Sequence, residues 1–180
     1  MADHKSETIE ISGCKTAILR GGSGPTLLFL HGAGGAGAWA PYMDALAENF
    51  DVIVPSHPGF GASDTPDWLD NMSDLAFFYL DLMTQLDLTD IHLVGNSLGG
   101  WLAMEVAVRS TQRIKSLTLV SAAGIHVKGV PKGDIFLWDP ETRVRNNFVN
   151  QDLADARLAV VPSDAEADIA LKNHFTTAKL

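Results

Sequence analysis

One serine, set between glycines where an apolar segment meets a helical pattern, constrains the fold of this chain more than any other feature. Residues 95–100 read Gly-Asn-Ser-Leu-Gly-Gly. A serine stands clear of a sheet only where the chain turns sharply from strand to helix, and the residues two positions before and after it crowd that turn. Gly95 and Gly99 avoid the crowding because they carry no Cβ. The motif therefore predicts a strand–turn–helix unit that exposes Ser97.

The position of Ser97 at the start of a helix indicates chemistry. Peptide N–H groups at a helix N-terminus lack partners within the helix, and the N–H of Leu98 would face any oxyanion that forms beside the serine. We interpret Ser97 as a nucleophile. The alternative interpretation is a glycine-rich turn that carries an idle serine.

Strand and helix patterns alternate around this motif with short connections, which is typical of a parallel sheet with helices on both faces. An opening hairpin is predicted over 8–12 and 15–20, strands over 26–31, 52–55, 91–95 and 117–120, and helices over 38–49, 73–86 (with Ser73 as N-cap) and 98–109. Three short helical patterns and no strand pattern follow. The sequence therefore predicts an α/β core over residues 1–124 and a helical, cap-like segment over 125–180.

Three stretches together resemble the N-terminal part of α/β-hydrolase fold enzymes of the serine hydrolase branch. They are Leu-His-Gly-Ala-Gly-Gly at 30–35, Pro-Gly-Phe-Gly-Ala-Ser-Asp at 58–64, and the serine motif at 95–100. The resemblance implies that Ser97 is the nucleophile and that the backbone N–H groups of Ala33 and Leu98 form an oxyanion hole. It also implies a structural role for His31.

A serine nucleophile implies acyl transfer on a small-molecule substrate. The motifs are similar both to those of small esterases and to those of carbon–carbon bond hydrolases that cleave ring-fission diketones, so the sequence leaves an ester and an activated ketone open as substrate. We expect Gly32, Gly34, Trp101 and Trp138 to line the substrate pocket.

Serine needs a base, and the resemblance implies the chain order serine, then Asp or Glu, then histidine. After Ser97 the only histidines are His126 and His174, and residues 121–123 read Ser-Ala-Ala with no carboxylate. His126 is the possible base. We therefore expect an incomplete form of the enzyme, without the last strands and without the triad acid and base. The alternative is a catalytically silent module of the same fold that acts through binding or association.

The glycine loop at 32–37 also satisfies the G-x-G-x-x-G pattern of dinucleotide sites, and Asp51 follows about 20 residues later. The acid of such sites lies at the carboxyl end of the second strand. Asp51 precedes its strand and so falls at the opposite end, which disfavours dinucleotide binding.

Composition excludes several classes of function. Thirteen basic against 22 acidic residues give a net charge of −9, which argues against nucleic acid and anionic membranes as partners. The lone Cys14 excludes an internal disulfide. The sequence contains no recognisable cluster of metal-ligating residues, so we expect no metal or other cofactor. No secretory signal is recognisable, so we expect a cytoplasmic protein.

The strand over 117–120 would be left as an open edge, through which the chain could self-associate.

Overall fold

Six strands form one sheet in the computed structural model, which describes residues 3–130 and 133–180. The strands are β1 (His4–Ile11), β2 (Cys14–Gly21), β3 (Thr26–Leu30), β4 (Asp51–Pro55), β5 (Ile91–Asn96) and β6 (Ile114–Val120). The helices are α1 (Pro41–Ala47), α2 (Met72–Gln85), α3 (Leu98–Arg109), α4 (Pro140–Asn147), α5 (Gln151–Leu158) and α6 (Asp164–Lys179). Strand order across the sheet is β1-β2-β4-β3-β5-β6.

The sheet is mostly parallel. Strands β4, β3, β5 and β6 run in one direction, whereas the β1–β2 hairpin joins them through an antiparallel pairing of β2 with β4. Within the two described ranges, no strand follows β6. The predicted α/β fold class is confirmed.

Alternate residues of the central strands feed two separate apolar cores, because successive side chains of a strand point to opposite faces. Leu28 and Leu30 of β3 pack with α2 and α3 on one face, and Leu27 and Phe29 pack with Met43 of α1 on the other. A strand that is covered on both faces is apolar throughout, which explains the Leu-Leu-Phe-Leu run.

Two predicted helix starts are wrong. Helix α2 is capped by Asn71, whose Oδ1 accepts hydrogen bonds from the N–H groups of Ser73 (2.9 Å) and Asp74 (3.3 Å), so Ser73 lies in the first turn and is not the N-cap. Helix α1 begins at Pro41 instead of residue 38. Proline is favoured at that position because its ring lacks the N–H that a first helical residue leaves unpaired.

Contacts divide the chain into two compact units, Met1–Ile125 with Ile169–Leu180, and His126–Asp168. By contacts, the last twelve residues belong with the first unit. The predicted boundary near residue 124, between the α/β core and the helical, cap-like segment, stays a prediction. The second unit contains α4, α5 and the start of α6, where Ser163 and Glu166 form a capping box: the Ser163 N–H donates to Glu166 Oε2 at 2.8 Å, and the Glu166 N–H donates to Ser163 Oγ at 3.4 Å. Among the described residues, no helix is both long enough and apolar enough to span a bilayer.

Candidate active site

Ser97 occupies a strained bend between β5 and α3. Its backbone has φ 53° and ψ −114°, a left-handed conformation that side chains other than glycine rarely adopt. The bend is tied on both sides: the Ser97 N–H donates to Val120 O at 2.9 Å, and the Ser97 carbonyl accepts from the N–H groups of Gly100 (2.9 Å) and Ala123 (2.9 Å). The end of β6 therefore holds this turn in place.

The glycines around Ser97 are required by space. A Cβ on Gly95 would lie 2.3 Å from Gly99 O, and a Cβ on Gly99 would lie 2.1 Å from Leu30 O. Both neighbours are backbone atoms that cannot move aside, so β5 and α3 can approach this closely only without side chains there. The crowding that the motif predicted is present at both positions.

The loop after β3 lies directly against the serine. An ideal Cβ built on Gly32 would stand 3.3 Å from Ser97 Cβ. A turn shapes this loop, in which the Gly35 N–H donates to Gly32 O at 3.0 Å. Ala33 follows Gly32 in this turn.

Within the described residues, two backbone donors and one hydroxyl near the elbow have no hydrogen-bond partner. Neither the N–H of Ala33 nor that of Leu98 donates to any residue in the described ranges, and Ser97 Oγ has no hydrogen-bond partner there either. Ser97 and Ala33 are partly exposed, whereas Leu98 is buried.

A buried pair of histidines supports the glycine loop from below. The rings of His31 and His57 stack with their centroids 3.6 Å apart. The His57 backbone N–H donates to His31 Nε2 at 3.0 Å, so the proton of His31 is on Nδ1, which donates to Gly32 O at 2.7 Å. His57 Nε2 donates to His31 O at 2.9 Å, and its Nδ1 accepts from the Tyr79 hydroxyl. All four ring nitrogens are thereby occupied.

Both histidines are neutral. Burial lowers the pKa of His31 from 6.5 to about 4, and burial together with the neighbouring His31 lowers the pKa of His57 well below its usual value. A neutral imidazole whose two nitrogens are both bonded to the protein cannot serve as a base. The structural role that the resemblance implies for His31 agrees with these contacts. The Tyr79 partner was not foreseen, because Tyr79 lies among the apolar residues of the α2 face.

The other predicted pocket residues are dispersed. Trp101 lies on α3, where its ring covers Gly124 (a Gly124 Cβ would lie 2.8 Å from it) and its Nε1–H donates to Glu105 at 3.1 Å. Gly34 is exposed. Trp138 packs on Gly133 within the second unit, and His126 is an exposed residue of that unit. The roles assigned to these residues stay predictions.

Sequence reasoning missed three polar residues of α6. Asn173 and Thr176 are buried, with 2% and 6% of their surfaces exposed, and Lys172 hydrogen-bonds to two carbonyls. All three hydrogen-bond to the loop that follows β4, and Asn173 also hydrogen-bonds to the loop that follows β3. Across the described residues, no group of three or more His, Cys, Asp or Glu side chains is arranged to hold a metal ion.

Similarity to known proteins accords with this geometry. A family model of the alpha/beta hydrolase fold matches residues 25–178. The 2-hydroxymuconate semialdehyde hydrolase of Pseudomonas sp. strain CF600 is 31% identical over 169 residues, covering 81% of this chain and 57% of that protein. An uncharacterized protein of Mycobacterium tuberculosis strain H37Rv is 37% identical over 116 residues, covering 64% of this chain and 34% of that protein.

The solved structure of 2-hydroxy-6-oxo-6-phenylhexa-2,4-dienoate hydrolase from Rhodococcus sp. strain RHA1 has the same fold, with a TM-score of 0.67 at 22% identity over 99% of this chain and 73% of that one. The chain thus spans 34% and 57% of the length of the two curated relatives. Because the family model covers nearly all of its residues, the chain belongs to the α/β-hydrolase fold family.

Proposed function

We propose that this protein is a serine hydrolase that cleaves a small ester or an activated ketone through an acyl-Ser97 intermediate. One observation carries the proposal: Ser97 is held on a strained elbow at the start of α3, partly exposed, 3.3 Å from the position of a Gly32 Cβ. Backbone strain of this kind persists where the surrounding structure enforces it, and it is concentrated at functional sites.

In the proposed mechanism, Ser97 Oγ attacks the substrate carbonyl carbon while a base takes the hydroxyl proton. The carbonyl oxygen becomes an oxyanion, which the N–H groups of Ala33 and Leu98 stabilise. The bond from the carbonyl carbon to the leaving oxygen or carbon then breaks, and the leaving group takes up the proton. Water attacks the acyl group, the Oγ–carbon bond breaks, and the acid departs with the serine hydroxyl restored.

The base is the open part of this mechanism. Hydrogen bonds fully occupy the rings of His31 and His57, and His92 Nδ1 is bonded to the Ser116 hydroxyl on the sheet at 2.7 Å. We propose His126 as the base. The same observation favours the second candidate function, a silent binding module, since Ser97 Oγ has no histidine partner in the first unit.

The substrate class is proposed on two grounds. Serine at the elbow fits acyl transfer, the chemistry common to ester cleavage and to carbon–carbon bond hydrolysis. Two of the similar proteins are named as hydrolases of semialdehyde and oxo-dienoate substrates. We therefore expect small carbonyl compounds with a good leaving group to react first.

Steady-state hydrolysis of p-nitrophenyl acetate and butyrate tests the function. We expect turnover that Ser97→Ala abolishes and that Ser121→Ala leaves intact. Ser121 is the matched control because it is an exposed serine that also follows a strand with a positive φ (45°). Loss of turnover in His126→Ala would support the proposed base. If the wild-type chain hydrolyses neither ester, or if Ser97→Ala is as active as the wild type, the enzymatic proposal fails.

We also propose that the open edge of the sheet pairs with a second copy of the chain. Among the described strands, β6 pairs only with β5, and it exposes Leu117 (39%), Leu119 (38%) and Val120 (44%). A row of unpaired N–H and C=O groups is satisfied by another extended strand. Antiparallel self-pairing about Leu117 would place the one charged residue, Lys115, opposite Leu119 and away from its own copy.

Sedimentation velocity between micromolar and tenths-of-millimolar concentration tests this pairing. We expect a dimer that Leu119→Lys disrupts, because the new lysine would lie opposite Lys115 of the other copy and repel it. Val108→Lys is the matched control, since Val108 is 78% exposed on α3, away from that edge. A monomer throughout this range, or a dimer that Leu119→Lys leaves unchanged, would contradict it.

A further inference from the structure

The last turns of α6 hold both loops that border the elbow. Asn173 is 2% exposed, and both ends of its carboxamide are hydrogen-bonded: Nδ2 donates to Gly34 O at 3.0 Å, and Oδ1 accepts from the Gly61 N–H at 2.9 Å. A carbonyl must accept and an N–H must donate, so the two partners fix the orientation of the amide. One side chain thus joins the loop after β3 to the loop after β4.

Ala33 lies between two anchored carbonyls. Gly32 O accepts from His31 Nδ1 at 2.7 Å and from the Gly35 N–H at 3.0 Å. On the other side, Gly34 O accepts from Asn173. Because both neighbouring residues are held, the direction of the Ala33 N–H is held too.

Asn173 also fits the shape of the loop. Gly35 has φ +92°, and a Cβ there would lie 2.7 Å from Asn173 Nδ2. The carboxamide therefore occupies the space that a side chain at 35 would need. Asn173 therefore contacts Gly35 as well as Gly34, and both residues belong to the turn that carries Ala33.

Other α6 side chains hold the second loop alone. Thr176 Oγ1 donates to Gly59 O at 2.7 Å, and Lys172 Nζ donates to Gly61 O at 3.0 Å and to Ser63 O at 2.6 Å. Of the α6 side chains in the described residues, Asn173 alone hydrogen-bonds to the 32–35 turn. Thr176 therefore offers a matched control on the same helix.

We propose that Asn173 is a positioning residue that sets the Ala33 N–H toward Ser97 by fixing the carbonyl of Gly34. This inference deepens the proposed function and rests on it for its catalytic meaning. Its physical content is separate: the 32–35 turn is ordered by the carboxamide of Asn173, through a contact 139 residues away in the chain.

Hydrogen–deuterium exchange tests the ordering without any reference to activity. Asn173→Asp keeps the acceptor for Gly61 but replaces the donor with an oxygen that faces Gly34 O. We expect exchange in residues 32–37 to accelerate about tenfold or more, which is the scale of a lost buried hydrogen bond. Thr176→Val should leave that segment unchanged and accelerate residues 59–63. Equal exchange of residues 32–37 in Asn173→Asp and wild type would overturn the inference.

Kinetics then test the catalytic meaning. An oxyanion donor acts in the transition state, so Asn173→Asp should lower kcat for p-nitrophenyl butyrate about tenfold or more with KM little changed, while Thr176→Val keeps the wild-type kcat. If Asn173→Asp does not fold, Asn173→Ser takes its place, with β3 and β5 peptides as internal standards for global opening. Equal losses of kcat in the Asn173 and Thr176 variants would overturn positioning in favour of general support by α6.

The two experiments separate the possible failures. If the wild-type chain shows no turnover that depends on Ser97, the proposed function fails, and the exchange of residues 32–37 alone decides whether Asn173 orders the turn. If turnover depends on Ser97 but exchange and kcat are unaffected by Asn173→Asp, the proposed function stands and this inference is wrong.

Discussion

The elbow and the glycine turn that faces it are held in different ways. The elbow is shaped by main-chain contacts: Ser97 O accepts from the N–H groups of Gly100 and Ala123, the Ser97 N–H donates to Val120 O, and Gly95 and Gly99 provide the space. The turn at 32–35 depends in addition on two side chains, those of His31 and Asn173. Ser97 is therefore held by the main chain of the sheet and α3, whereas the turn beside it relies on side chains that other parts of the fold must place. Side-chain substitutions should therefore disturb the turn before they disturb the elbow.

Gly99→Ala should have the largest effect, because it places a side chain against the main chain of β3. Its Cβ would stand 2.1 Å from Leu30 O, a backbone atom of β3. We expect the free energy of unfolding to fall by about 3 kcal/mol or more, at the upper end of overpacking costs. Urea denaturation followed by circular dichroism measures it.

Gly34→Ala is the control from the other region. A Cβ on Gly34 meets nothing within 4 Å, and its φ is not in the left-handed region. We expect a change within about 0.5 kcal/mol, as at an ordinary surface position. Similar losses in Gly34→Ala and Gly99→Ala would contradict the contrast between elbow and turn.

Acid should weaken the turn side selectively. The pKa of His31 is about 4 in the folded protein against 6.5 for the free group, because burial disfavours its charged form. Below pH 6.5 the unfolded chain binds a proton that the folded chain does not, so stability falls with falling pH and continues to fall until about pH 4. His31 alone contributes a loss of about 3 kcal/mol over this window, and His57 shifts in the same direction.

Denaturation at pH 7.5, 6.0, 5.0 and 4.0 follows this loss. Exchange of residues 32–37 should accelerate before that of 98–103, since no titratable side chain bonds to the elbow among the described residues. A midpoint that does not change between pH 7.5 and 5.0 would contradict neutral burial of the histidine pair.

The smallest effect isolates the contact with α6. Gly35 and Gly37 both have positive φ, +92° and +65°, but only a Cβ on Gly35 would meet a neighbour, Asn173 Nδ2 at 2.7 Å. Gly37→Ala should cost about 1 kcal/mol from backbone strain, and Gly35→Ala about 1 kcal/mol more from the displaced carboxamide. Thermal unfolding of the two variants gives the difference. Equal costs would mean that the carboxamide moves aside freely.

The sequence predicted what short-range physics determines. The four parallel strands, helix α3 at 98–109 and the crowding around Ser97 could all be read from apolar runs and glycine positions. The N-cap of α2 was wrong because two capping residues, Asn71 and Ser73, lie two positions apart and local pattern does not choose between them.

The support of the turn could not be predicted in this way. Asn173 and Thr176 are polar residues three apart on a helix, a pattern that normally marks a solvent-facing side. Their burial follows from loops more than 100 residues earlier, whose carbonyls and N–H groups need partners. Such pairing is determined by tertiary structure, and single-sequence patterns carry no signal for it.

Covalent labelling of the intact chain with a fluorophosphonate tests the central claim most directly. The account predicts one adduct by mass, mapped to Ser97 by peptide sequencing, at a rate far above that of free serine, and no adduct in Ser97→Ala. Absence of labelling under conditions where the fold is intact, or an adduct at Ser121 in place of Ser97, would contradict an activated nucleophile on this elbow.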